Sequence, residues 1–342
     1  MFFYLWRKNV IFNLQSIHKI QMENMMDIGY LIFLQNFRES TSNVLTPFME
    51  FISGFGIGFV PIAFICMIYW IVDKKVGQWI FLNLGCSTFI NGSILKITAC
   101  VYRPWIKDPR VIPAGDSIVT ATGYSFPSGH STLVTSYFGV PGLWLWKKKR
   151  LLSILLFSVV FLVLFSRNYL GVHYPQDVVI GFAVPILMSF ISKKLLNWIV
   201  SEKNRDLYFL LSIILVTILG LIYINYKPYP IHYVDGKLLV DPKKMIADAY
   251  ESFGTLLGFS IGIIVERRFI KFEIQKGNKK QTIISLLSLI PLYFWVKQSV
   301  AWFEPIIGRC NAKFLSFFVI AIYPIMLVPI FLKLVQMKKE KS

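Results

Sequence analysis

The 342-residue chain is 55% hydrophobic and carries a formal charge of +18, from 36 Lys and Arg against 18 Asp and Glu. A mean hydropathy of +0.59 excludes an ordinary soluble domain or pair of domains and points to one polytopic membrane chain. The basic residues sit between apolar runs rather than along one face, which fits membrane topology and argues against a nucleic-acid partner.

The chain starts MFFYLWRKNVIF, aromatic and without a small-residue cleavage site, so no cleavable signal peptide is expected. Residues 28–55 are apolar at both ends with a polar middle from Gln35 to Asn43. That pattern predicts an interfacial or re-entrant segment rather than a full crossing. A crossing helix needs roughly 20 mostly apolar residues. Eight good runs follow, at about 57–73, 131–146, 150–166, 178–197, 207–225, 247–266, 283–303 and 313–334. A weaker run at 76–99 carries Asn83, Asn91 and Lys96. The expected fold is therefore all-α, a polytopic membrane helical bundle. Its expected parts are an N-terminal interfacial or amphipathic segment (1–56), a core (57–197) and accessory C-terminal transmembrane helices (198–342). Cys66, Cys86, Cys100 and Cys310 form no CxxC pair and read as space-filling thiols.

Five connections are basic: Asp73-Lys74-Lys75, Lys147 to Arg150, Lys193 to Arg205, Arg267 to Lys280, and the tail at Lys338-Lys339. They alternate with the helices so that all fall on one side, which the positive-inside rule makes cytoplasmic. The loops at about 100–130, 167–177, 226–246 and 304–312 then face the other side. Two of these also hold cations, namely Arg103, Lys107, Arg110 and Arg167, and Lys96 lies just inside the preceding apolar run. Positive charge there, partly within the bilayer, is expensive and usually functional.

Three segments hold most of the chemistry-bearing residues: Lys96 to Pro104, Tyr124 to His130, and Ser166 to Asp177. Lys96, Arg103 and Arg167, brought together, need an anion such as phosphate, although any one alone also fits a residue snorkelling toward headgroups. Pro127-Ser128-Gly129-His130 directly precedes an apolar helix, whose free N–H groups can bind phosphate, or can simply mark a helix start. His173 lies four residues before Asp177, so a helix starting near Tyr174 puts both on one face. A carboxylate on one ring nitrogen leaves the other basic, the arrangement a nucleophilic histidine requires. His18 and His232 lie outside these segments and read as incidental. Two His and one Asp could on paper ligate a metal, but the surrounding Lys and Arg would repel one, so no metal and no cofactor are expected.

These segments resemble the three-part signature of the type 2 phosphatidic acid phosphatase family, KxxxxxxRP, PSGH and SRxxxxxHxxxD, with every position matched. The resemblance covers about 57–197 and implies a six-helix-type phosphatase core, with about three additional C-terminal transmembrane helices outside it. It implies a metal-independent lipid phosphatase working through a phosphohistidine. His173 is then the nucleophile, Asp177 its orienting partner, and His130 the acid that protonates the leaving oxygen. Lys96, Arg103, Ser128, Gly129 and Arg167 hold the phosphate, and Ser166 buttresses the site. The implied partners are a lipid phosphate or diphosphate substrate (polyprenyl diphosphate, phosphatidic acid, phosphatidylglycerol phosphate or sphingoid-base phosphate) and the bilayer. The implied location is a cell membrane, with the site facing the non-cytoplasmic side. A lipid phosphotransferase using the same site, or a phosphate-lipid transporter or scaffold without catalysis, are the alternatives. Specificity is expected from the crevice between helices and the loops at 105–123 and 226–246, with the last three helices widening or shielding that crevice.

Overall fold

The structure, a computed structural model, describes residues 25–121, 123–234 and 237–340. The signal-peptide expectation, His18 and residues 1–24 of the N-terminal segment lie outside these residues. The described chain is a helical bundle. Helix α1 is Met25–Ser40, and α2 is Thr46–Ser53, running on through one tight turn to Gly56. Helix α3 is Phe59–Val72. Helix α4 starts at Lys74 and continues through a wide turn at Phe89–Leu95 into Lys96–Ala99. Helix α5 runs from Gly129 to Leu145, α6 is Arg150–Tyr169, α7 Pro175–Ser201 and α8 Arg205–Tyr226. Helix α9 is Pro242–Val265, α10 Lys279–Ile307 and α11 Arg309–Gln336. Between α8 and α9 lies one small hairpin, β1 (Tyr233–Val234) paired antiparallel with β2 (Lys237–Leu238), a detail the all-α expectation did not include.

Helices stand at all nine expected positions, but fewer qualify as crossings. Among the described residues six are long and apolar enough to cross a membrane, or seven if α2 and α3, bent by 47° at Ile57–Gly58, count as one broken span. Helix α5 falls short of the roughly 20 residues a crossing needs. Helix α9 carries Lys243, Lys244, Asp248 and Glu251 in its first half. The expected boundary at residue 56 falls inside the bent pair, and α1 packs against the site loops through Arg38, which donates to Tyr169 O (2.9 Å) and Ile112 O (2.7 Å).

Helix starts are set by local chemistry. Asp73, Ser128, Asp241 and Asn278 each accept a backbone N–H as N-caps, and Pro175 and Pro242 occupy first positions where no N–H is needed. The weak run 76–99 is explained by its neighbours. Asn83 Nδ2 donates to Pro185 O (2.8 Å) and Asn91 Nδ2 to Thr132 Oγ1 (2.7 Å), so each amide faces another helix rather than lipid. Gly181 of α7 sits where a Cβ would lie 2.7 Å from Ser131 Cβ and 2.9 Å from Ser128 O. Only glycine lets α7 press this closely on the start of α5.

Two of the accessory helices are joined to each other by a similar device. Gly254, Gly258 and Gly262 form one stripe along α9, and a Cβ at Gly254 or Gly258 would lie 2.3 Å from Phe314 O or 2.6 Å from Phe318 O of α11. Small residues four apart let two helix backbones meet where lipid offers no hydrophobic drive. At one end of the bundle the basic connections gather: Arg267 and Arg268 bind Asp206, and Lys74 binds Glu266 at 2.6 Å. At the other end the loops at 100–130, 167–177 and 226–246 meet, through Ala114 N to Leu170 O (3.0 Å) and Tyr102 Oη with His232 Nδ1 (2.7 Å). Gly258→Val should overpack the α9–α11 contact at a cost of about 1–3 kcal/mol. It should lower the thermal midpoint of detergent-purified protein, whereas Gly29→Ala, with open space around it, should not; equal midpoints would remove the glycine stripe from the account.

Candidate active site

The three sequence segments converge at the loop end of the bundle. Helix α4 ends where Cys100 turns left-handed (φ 48°), and the chain then carries Arg103 inward. Arg103 is 4% exposed. Its Nη1 donates to Val172 O (2.8 Å) and to His173 Nε2 (2.8 Å), and its Nε donates to Gly123 O (3.1 Å). One guanidinium therefore ties the 100–107, 121–130 and 170–174 segments together.

Helix α7 begins at Pro175 with Tyr174 as its N-cap, which places Asp177 in the first turn. Asp177 Oδ2 accepts from Tyr174 N (2.9 Å), from Ser125 Oγ, and from His173 Nδ1 (3.2 Å). The carboxylate puts the ring proton on Nδ1, and Nε2 is left as the acceptor facing Arg103. Asn168 Nδ2 donates to His173 O (2.9 Å) and fixes the backbone behind the ring. Burial first, then the charges of Arg103, Arg167, Lys96 and His130, hold the His173 imidazole well below its ordinary pKa. The ring is therefore neutral, with a basic nitrogen aimed at a cluster of cations.

His130 is the second residue of α5 and is 7% exposed. Its ring makes no hydrogen bond to any described residue and lines the cavity. A Cβ on Gly56 would lie 3.0 Å from His130 Cβ, so the turn after α2 backs this histidine closely. Gly129 also lines the cavity. Ser128 does not: its hydroxyl caps α5, accepting from Ser131 N (3.3 Å) and Ser131 Oγ (2.9 Å). Its backbone N–H is likewise taken, by Asp177 O (3.0 Å).

The cations divide by role. Lys96 Nζ donates to Pro127 O (2.6 Å) and Tyr124 O (3.0 Å), holding the loop before α5 while still lining the cavity. Arg167 is 1% exposed; Nη1 donates to Ser53 Oγ, while Nε and Nη2 are buried without a partner. Buried donors left unpaired are costly and mark a place for an acceptor. Ser166 Oγ turns back on its own helix, to Val163 O (2.7 Å). Among the described residues no three His, Cys, Asp or Glu side chains gather as a metal-ligand set. Ser125, Asn168, Ser53 and Gly56 are the site residues the sequence reading missed; each is a small residue whose part depends on where the chain folds.

Arg103, His130 and His173 open on a cavity of about 430 Å³. Its deeper wall is apolar, with Ile62, Ile65, Phe81, Leu84, Phe259 and Ile320 among its residues. Specificity is expected from the crevice between helices and from the loops at 105–123 and 226–246; among the described residues 105–123 contributes none of the cavity lining and 226–246 contributes Met245 alone. Helices α9 and α11, two of the last three helices, do line it, through residues such as Thr255 and Phe317.

Residues 77–201 match the PAP2 superfamily. Over 100 residues the chain is 39% identical to phosphatidylglycerophosphatase B of Bacillus subtilis (strain 168), which covers 27% of this chain and 48% of that protein. Over 195 residues it is 28% identical to undecaprenyl-diphosphatase of Sulfolobus acidocaldarius, covering 56% of this chain and 90% of that protein. The match thus spans about half the length of the first relative and most of the second. No solved structure matches the chain. Nitrogen NMR of histidine-labelled protein should find His173 uncharged at pH 6.5, the ordinary imidazole value, with its proton on Nδ1. A lowered pKa means the ring gains charge only at more acidic pH, so half-protonation at or above pH 6.5 would overturn this picture of the site.

Proposed function

From the match of residues 77–201 to the PAP2 superfamily, we propose that the protein is an integral membrane lipid phosphatase working through a phosphohistidine at His173. The observation that carries this reading is the pairing of His173. Asp177 holds Nδ1 at 3.2 Å while Nε2 faces Arg103 at 2.8 Å, beside Arg167 with two unpartnered donors. That arrangement has a nucleophile, its orienting carboxylate and a receptor for a phosphate dianion in one buried place.

In the proposed reaction a phosphate group enters between Nε2 and the guanidinium, and Arg103 exchanges its hydrogen bond to nitrogen for one to a phosphate oxygen. Arg167 pairs a second oxygen through Nε and Nη2, and Gly129 lets the start of α5 approach the group. Lys96 adds positive charge while keeping the 124–127 loop in place. Nε2 attacks phosphorus, the bond to the leaving oxygen breaks, and His130 gives that oxygen its proton. Water then attacks phosphorus with His130 as base, the P–N bond breaks, and inorganic phosphate leaves. Every cation needed to neutralise the transferring group is a side chain of this protein. The 57–197 core supplies the chemistry and 198–342 walls the cavity. The basic connections at the far end of the bundle support a site facing the non-cytoplasmic side of the cell membrane. The names of the two relatives support a phosphoglycerolipid or a polyprenyl diphosphate as substrate class.

Purified protein should release phosphate from at least one lipid phosphate, and His173→Ala should abolish both turnover and an acid-labile, base-stable phosphoprotein in rapid-quench samples. His130→Gln should lower kcat roughly 10²- to 10⁴-fold. Turnover in His173→Ala would refute the nucleophile. EDTA should leave the rate unchanged; inhibition reversed by a divalent metal would replace the metal-free mechanism with another.

A further inference from the structure

The cavity has a polar belt that the phosphate chemistry does not use. Along α9, Asp248, Glu251, Ser252, Thr255 and Phe259 face it, a spacing of three and four that puts them on one side of the helix. Along α11, Lys313, Phe317 and Ile320 do the same. Lys313 is buried, and its Nζ pairs with Asp248 Oδ1 and with Glu251 Oε1 (2.6 Å). Two carboxylates thus share one ammonium on a cavity wall, and each keeps acceptor capacity beyond that bond. Asn91 of α4, 3% exposed, lines the same cavity; its Oδ1 is buried without a partner while its Nδ2 donates to Thr132 Oγ1. An orphaned acceptor in the cavity wall is an observation separate from the ion cluster, and it asks for a donor.

The belt lies in the cavity that also holds Lys96, Arg103, His130 and His173, while the deeper wall is apolar. Its spare capacity is almost all for accepting hydrogen bonds, and its carboxylates outnumber its ammonium. A second phosphate would meet repulsion there, and a bare hydrocarbon would leave charged groups without partners. A hydroxyl or ammonium group would satisfy both walls.

We propose that Asp248, Glu251 and Asn91 form a specificity subsite for a hydroxyl or ammonium group that the lipid carries near its phosphate, so that donor-bearing lipid phosphates are preferred over donor-free lipid phosphates and polyprenyl diphosphates. This inference rests on the phosphatase reading above. It gives the accessory helices, which lie outside the match to the PAP2 superfamily, a direct part in substrate choice.

The test measures kcat/KM of the full-length protein in detergent. The hydroxyl arm compares phosphatidylglycerol phosphate with its analogue O-methylated at the free glycerol hydroxyl. The ammonium arm compares a sphingoid-base phosphate with its N-acylated form. Capping the donor should lower kcat/KM by roughly tenfold or more in at least one arm, as expected for loss of a charge-assisted hydrogen bond, and the arm that responds identifies the donor. In the Asp248→Asn/Glu251→Gln double variant, which keeps the side-chain shapes, the ratio of capped to uncapped substrate should move toward one. A merely structural ion cluster would change stability and overall rate without moving that ratio. Equal rates for capped and uncapped lipids in the wild type, with phosphate released from both, would overturn the subsite and leave the phosphatase reading standing. No release from any lipid phosphate would overturn both.

Discussion

The arrangement of this bundle is governed by two buried arginines, a half-buried lysine and one buried carboxylate at the end of an apolar structure. Arg103 and Arg167 are 4% and 1% exposed, and Asp177 is fully buried. Isolated charges in such a setting are strongly disfavoured unless paired and hydrogen-bonded. The protein meets part of that demand with backbone carbonyls: Val172, Gly123, Pro127 and Tyr124 all accept from Arg103 or Lys96. The same bonds draw three distant loops onto one point. What remains unmet at Arg167 is donor capacity, at Nε and Nη2, the capacity the proposed phosphate would use. Fold and site are therefore two aspects of one electrostatic problem.

Local chemistry and close packing refine that frame. The capping box at Tyr174 and Asp177 starts α7 and aims the carboxylate at His173 in a single turn of chain. Gly181, one helical turn further, lets α5 approach so that Ser128 N reaches Asp177 O. A change at that glycine would act on the histidine without touching it. The glycine stripe of α9 works on a larger scale, setting α9 and α11 against each other, the two accessory helices that both line the cavity.

Much of this was legible in the sequence. The apolar runs located every long helix, and the three motifs named the residues that meet at the site, because charge inside an apolar run stands out against its background. The spacing of His173 and Asp177 already implied the shared face. Other features were hidden for physical reasons. Lys96 reads as an anion ligand, yet it is largely engaged with loop carbonyls, and backbone acceptors leave no mark in a sequence. Ser128 reads as a phosphate ligand, yet its hydroxyl oxygen caps α5, its N–H goes to Asp177 O, and it does not line the cavity. Ser125, Asn168 and Ser53 are single small polar residues, and nothing near them in the chain announces their partners. Fewer helices meet a strict length and composition criterion for a crossing than there are apolar runs, because α5 is short and α9 has a charged first half. The part of the last three helices in the crevice was expected only from their position, since the residues of α9 and α11 that line the cavity reach it through long-range packing.

The hydrogen bond from Arg103 to His173 Nε2 bears on how the proposed enzyme distinguishes its ligands. The guanidinium acts as an internal competitor for the attacking nitrogen. An incoming anion has to displace it, and gains by doing so only if it offers the guanidinium a better acceptor than a neutral imidazole. A dianionic phosphate does so readily, a singly charged or neutral group much less. The resting site is in this sense a threshold device, in which the nucleophile is released by the charge of the group it is meant to attack.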